Sequence, residues 1–86
     1  MGRPPKKTSS IVANRPEWAK RLLALRLLTN KSQNQVATDL GVSQQRYGNW
    51  ETGANEPDVE TWVRLATLYN VTIDYLMRGS PLVGGE

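Results

Sequence analysis

Residues 31 to 53, KSQNQVATDLGVSQQRYGNWETG, constrain this chain more than any other stretch. Ser32 and Gln35 stand three apart, the spacing at which a hydroxyl and a carboxamide cap each other's backbone N–H groups at a helix start. Val36, Ala37 and Leu40 then form a narrow apolar edge, and Gly41 provides the residue best suited to stop a helix. Val42 is apolar and Ser43 offers a second cap. A further short helix follows, with Tyr47 and Trp50 on one side and Gln44, Gln45, Gly48, Asn49 and Thr52 on the other.

Two short helices joined by a glycine-containing turn, the second with an amide-rich outer face, read as a helix-turn-helix whose second helix enters the major groove of DNA. The charge distribution is compatible with that reading. Residues 1 to 31 carry Arg3, Lys6, Lys7, Arg15, Lys20, Arg21, Arg26 and Lys31 against Glu17 alone, a net +7. Residues 32 to 86 carry Arg46, Arg64 and Arg78 against seven carboxylates, a net −4. One end suits a polyanion and the other a scaffold or a protein surface. With 86 residues, the chain has room for one small domain plus tails.

The absence of cysteine and histidine excludes a structural zinc site and any Cys/His nucleophile system. No nucleophile–base constellation or glycine-rich phosphate loop is present, so no enzymatic activity, metal or cofactor is expected. No apolar run reaches membrane-spanning length and no signal-peptide core follows the basic start. The expected location is the cytoplasm, on the nucleoid when bound to DNA, with no membrane partner and no small-molecule effector.

Residues 1–13 read as a basic N-terminal arm in which Gly2, Pro4 and Pro5 resist regular structure. Arg3, Lys6 and Lys7 place positive charge on a thin segment able to lie in a minor groove, or to serve as a solubilising tail. Residues 14–79 read as the domain, and 80–86 as a short tail. Asn14 and Glu17 form a plausible capping pair for a first helix reaching about Thr29, with Trp18, Leu22 and Leu25 as its core stripe. Leu23, Leu27 and Leu28 widen that stripe, with core burial expected over a dimer contact. After the turn GANEPD at 53 to 58, Asp58 caps a fourth helix to about Tyr69 with Val59, Trp62, Leu65, Ala66 and Tyr69 on its apolar face. Thr72 caps a last helix containing Ile73, Tyr75, Leu76 and Met77, ended by Arg78 and Gly79. Five helices result, an all-α architecture without a substantial sheet.

The ordered combination of RLLALR at 21 to 26, SQNQVATDLGVSQQRYGNWETG at 32 to 53 and PDVETWVRLATLYNVTIDYLMRG at 57 to 79 resembles the Cro/C1-type, or Xre-like, helix-turn-helix regulators of bacteria and phages. The resemblance covers about residues 17 to 77. It implies a compact five-helix, lambda-repressor-like DNA-binding domain that binds partly palindromic operators as a homodimer. It also implies a structural pair between Arg26, near the end of the first helix, and Glu51, at the end of the recognition helix. Unrelated surface charges are the alternative for that pair.

Gln33 is implied as a phosphate contact at the start of the second helix, with Thr52 and Asn55 clamping the backbone from the other side of the recognition helix. Gln44 is the leading base reader, because a carboxamide offers the donor and acceptor that match adenine N6 and N7. Gln45 can do the same or brace Gln44, and Asn49 can pair with adenine or touch phosphate. Arg46 reaches guanine or phosphate, and Gly48 permits close approach to a base methyl or sugar. Tyr47 and Trp50 are expected in the core. The resulting expectation is a sequence-specific double-stranded DNA-binding regulator, a repressor rather than an activator because occlusion of a promoter needs no further domain. An adaptor or antitoxin component on the same scaffold, without operator recognition, is the competing account.

Overall fold

The structure, a computed structural model, describes residues 15–79. Arg3, Lys6, Lys7, Ile11, Val12 and Asn14, and the 80–86 tail, lie outside the described residues. Five helices follow in order: α1 Glu17–Leu28, α2 Gln33–Leu40, α3 Gln44–Thr52, α4 Val59–Tyr69 and α5 Ile73–Arg78. Among the described residues there is no strand.

Local chemistry sets most helix boundaries. The Ser32 hydroxyl accepts the Gln35 N–H at 3.1 Å while the Gln35 carboxamide accepts the Ser32 N–H at 2.7 Å, a complete capping box. Ser43, Asp58 and Thr72 cap α3, α4 and α5 through the N–H groups of Arg46, Thr61 and Tyr75. Removing one such cap by Ser43→Ala is expected to cost about 1 kcal/mol, read as a fall of several degrees in thermal midpoint. The α1 start differs from expectation. Its N-cap is Pro16, whose side chain makes no cap hydrogen bond, and the Pro16 carbonyl accepts from Ala19 and Lys20 instead. Proline disfavours a helical conformation in the residue before it, so the helix begins two residues later than an Asn14 cap would place it. Glu17 pairs with Lys20 at the surface.

The core gathers Leu22 of α1, Val36, Ala37 and Leu40 of α2, Tyr47 and Trp50 of α3, Trp62, Leu65, Ala66 and Tyr69 of α4, and Leu76 of α5. Trp18 meets Trp62 edge to face with ring centroids 5.4 Å apart, joining α1 to α4. Arg21 Nε donates to the Leu76 carbonyl and Arg64 Nη2 to the Leu40 carbonyl, so guanidinium groups satisfy two helix ends from neighbouring helices.

Three apolar residues assigned to the core are exposed instead. Leu27 and Leu28 are 60% and 81% accessible. At about 100° per residue both point more than a right angle away from Leu22, beyond the stripe that α3 and α5 cover. Leu23 is half-buried. Val59, 79% accessible, occupies the first position of α4 and faces solvent. The buried stripe of α4 begins one turn later, at Trp62.

Candidate nucleic-acid interface

The short α3 helix presents two different sides. Tyr47, Trp50 and Glu51 are buried. Gln44, Gln45, Gly48, Asn49 and Thr52, together with Gln33 at the start of α2, line a shallow open groove. Among the described residues the carboxamides of Gln44, Gln45 and Asn49 take no hydrogen bond, which leaves their donors and acceptors directed to the outside. The turn after α3 folds back on it, with the Asn49 carbonyl accepting from Ala54 and Asn55. Thr52 Oγ1 donates to the same carbonyl at 3.2 Å, and Asn55 stands exposed beyond it.

Glu51 is 2% accessible and accepts three hydrogen bonds, from Arg26 Nε at 2.7 Å, Arg26 Nη2 at 3.2 Å and Gln33 Nε2 at 3.0 Å. Arg26 Nη1 also donates to the Lys31 carbonyl at 3.0 Å. One guanidinium thereby ties α1, the α1–α2 connection and α3 together. Burial pushes the Glu51 carboxyl up, but the bonds from Arg26 and Gln33, with the Tyr47 hydroxyl beside them, outweigh it and hold the group below its ordinary value. The bond to Glu51 raises Arg26 in turn.

Arg46 and Gly48 each have a neighbour within the protein. Arg46 is outside the groove; its guanidinium lies 5.6 Å over the Trp50 ring, on the flank of α3 that faces Asp58. A Cβ on Gly48 would stand 3.4 Å from Gln33 Oε1, an ordinary contact, so Gly48 and the Gln33 carboxamide are neighbours on the groove. Gln33 itself spends one N–H on Glu51.

Sequence reasoning missed two links. Pro16 packs on Gly53, so the chain enters α1 beside the end of α3 and the 53–58 turn. Tyr47 and Tyr69 share a hydrogen bond between buried hydroxyls, 2.6 Å apart. The only sequence signal for the second was the choice of tyrosine, a ring with a polar tip, at two core positions.

A family model described as helix-turn-helix matches residues 22–76, which includes both helices of the motif, Arg26 and Glu51. The chain belongs to the Cro/C1-type helix-turn-helix family. Among relatives of this helix-turn-helix chain, the SPbeta prophage-derived uncharacterized HTH-type transcriptional regulator YonR of Bacillus subtilis is 35% identical over 63 residues, covering 73% of this chain and 58% of that protein. The HTH-type transcriptional activator BcrR of Enterococcus faecalis is 34% identical over 67 residues, 78% of this chain and 33% of its own length. The cryptic phage CTXphi transcriptional repressor RstR of Vibrio cholerae is 36% identical over 56 residues, 65% of this chain and 50% of its own. The chain thus spans between a third and three fifths of the length of these relatives. Among the described residues, no helix is long and apolar enough to cross a membrane, and no group of three or more His, Cys, Asp or Glu could hold a metal ion.

Proposed function

We propose that this helix-turn-helix chain is a sequence-specific double-stranded DNA-binding transcriptional regulator that inserts α3 into the major groove. The observation that carries the reading is the two-sided construction of α3: outward carboxamides at Gln44, Gln45 and Asn49, and a buried carboxylate at Glu51 clamped to the scaffold. Carboxamides held on a rigid helix can make the paired donor–acceptor contact that distinguishes adenine, which a hydrated, mobile polar face could not.

In this reading Gln44 and Gln45 read bases, and Asn49 reads a base or touches phosphate. Gly48, with no side chain on the groove, lets the helix approach a base methyl or sugar closely. Gln33 uses its remaining N–H, and Thr52 and Asn55 their polar groups, on phosphates at the two edges of the groove. Arg46, set on the flank over Trp50, serves a phosphate. Arg3, Lys6 and Lys7 are assigned a DNA role by the concentration of positive charge on their segment of the sequence. One copy offers few base contacts. Two copies on a partly palindromic operator, with recognition helices about 34 Å apart, would double them. Occupancy of such a site represses by occlusion, in the cytoplasm where the nucleoid lies.

Selection from a random duplex library tests the reading. Wild type enriches a defined sequence, and Gln44→Ala and Asn49→Ala each lose about 1–3 kcal/mol of discrimination at separate base positions. Neutralising Arg3, Lys6 or Lys7 weakens all duplexes alike and lowers the salt slope by about 1 for each phosphate that the side chain had neutralised. Sedimentation with the enriched duplex reports whether two copies assemble on it. Enrichment of no sequence by the folded protein would overturn the proposal in favour of a protein-interaction module.

A further inference from the structure

The groove side of α3 is accounted for by DNA and the Glu51 side by Arg26, which leaves the buried hydroxyl pair between α3 and α4 without a role. Tyr47 is 0% and Tyr69 7% accessible, and their oxygens stand 2.6 Å apart. Filling this space with rings alone would have avoided the desolvation of two hydroxyls, so what the polar pair adds is direction. The backbones give direction little help here. α3 packs closely on α1 and α2, whereas α4 packs on α5, and the tyrosines reach across the gap. Burial pushes both phenols up, Tyr69 to about 12 and Tyr47 further, so both stay protonated and one always donates to the other.

We propose that Tyr69 is a positioning residue for the recognition surface, holding the rotation of α3 through the Tyr47 hydroxyl. Its effect on base readout rests on the DNA-binding reading above; its effect on α3 does not. Arg26 secures the helix at Glu51 on the α1 side, and Tyr69 secures it one turn earlier on the α4 side. Tyr47 and Glu51 leave the same face of α3 one turn apart but are held by different helices, α4 and α1. Restraints toward two partners stop the helix from rolling about its axis, and a roll would swing Gln44, Gln45 and Asn49 together.

The test compares wild type, Tyr69→Phe and the double variant Tyr47→Phe/Tyr69→Phe. Removing both hydroxyls leaves neither one orphaned. Glu51 loses the neighbouring Tyr47 hydroxyl but keeps its bonds from Arg26 and Gln33, so the double variant should keep most of the wild-type thermal stability. The α3 amides should nevertheless exchange about tenfold faster than in wild type while those of α2 do not change. The ratio of binding between the enriched duplex and a scrambled one at fixed salt should fall about fivefold or more. Unchanged α3 exchange in both variants, or equal acceleration in α2 and α3, would overturn the proposal. If wild type itself discriminates no duplex, the DNA reading fails and hydrogen exchange alone decides the role of Tyr69. Single Tyr69→Phe keeps the comparison usable should the double variant not fold.

Discussion

Glu51→Ala is expected to lower the unfolding free energy by about 3–5 kcal/mol, because it strands a mostly buried guanidinium without its counter-charge. In a domain this small that is a large fraction of total stability. The Arg26 side chain is 13% accessible and keeps only the Lys31 carbonyl as an acceptor; Gln33 Nε2 loses its partner as well. Urea unfolding measures the loss. Discrimination between duplexes should suffer with it even where the fold persists, since the carboxylate joins α3 to α1 and α2. Glu51→Gln keeps the shape and should cost less, about 2 kcal/mol, as the charge-assisted bonds weaken.

The same carboxylate sets an acid limb. Its folded value lies below the ordinary 4.5, so the unfolded chain takes up the proton first as pH falls. Stability from this group is therefore complete above about pH 4.5 and drains away below it. Glu51→Gln removes that part of the slope, and a wild-type-like slope between pH 5 and 2 would show that the pair contributes nothing (roughly one proton is at stake). At the other extreme the buried phenols of Tyr47 and Tyr69 resist ionising. Unfolded tyrosines lose protons from about pH 10, so stability should fall between 10 and 12.

The second large effect is expected at Gly53. This residue has φ +84°, and a Cβ there would overlap the Pro16 ring, whose Cγ would stand 2.7 Å away. A proline ring cannot swing aside as a lysine tip would, so Gly53→Ala meets left-handed strain and a clash together, about 3–5 kcal/mol in sum. Gly41 has nearly the same φ, +76°, but nothing within 4 Å of the added carbon. Gly41→Ala should therefore cost only about 1–2 kcal/mol. The comparison separates the two causes. Pairing Gly53→Ala with Pro16→Gly should recover the steric part and leave the backbone part, and thermal unfolding of the four proteins in that cycle reads the coupling. Equal costs at Gly41 and Gly53 would show that the Pro16 contact has no energetic weight.

Much of this architecture was legible before any coordinates. Serines 32 and 43, Asp58 and Thr72 announced helix starts because capping is a contact within four residues, and Gly41 announced a stop for a similar reason. Tyr47 and Trp50 were assigned to the core from the same periodicity that turned Gln44, Gln45 and Asn49 outward. The errors arose where periodicity had to be converted into burial. Leu27, Leu28 and Val59 are apolar and suitably near a stripe, yet whether a residue at its margin is covered depends on how far the neighbouring helix extends.

The amino-acid order by itself determined five short helices, the N-caps of the last four, and a polar outer side on α3, since each follows from interactions spanning a turn or two of chain. Family resemblance proposed the partnership of Arg26 and Glu51, but only the packed structure set the third donor, Gln33, into the same carboxylate and placed it beside Gly48. It alone joined Tyr47 to Tyr69 and seated Pro16 on Gly53. Those pairs are separated by between 15 and 37 positions of chain. Their existence depends on relative helix placement, a property of the whole core that no local window of sequence contains.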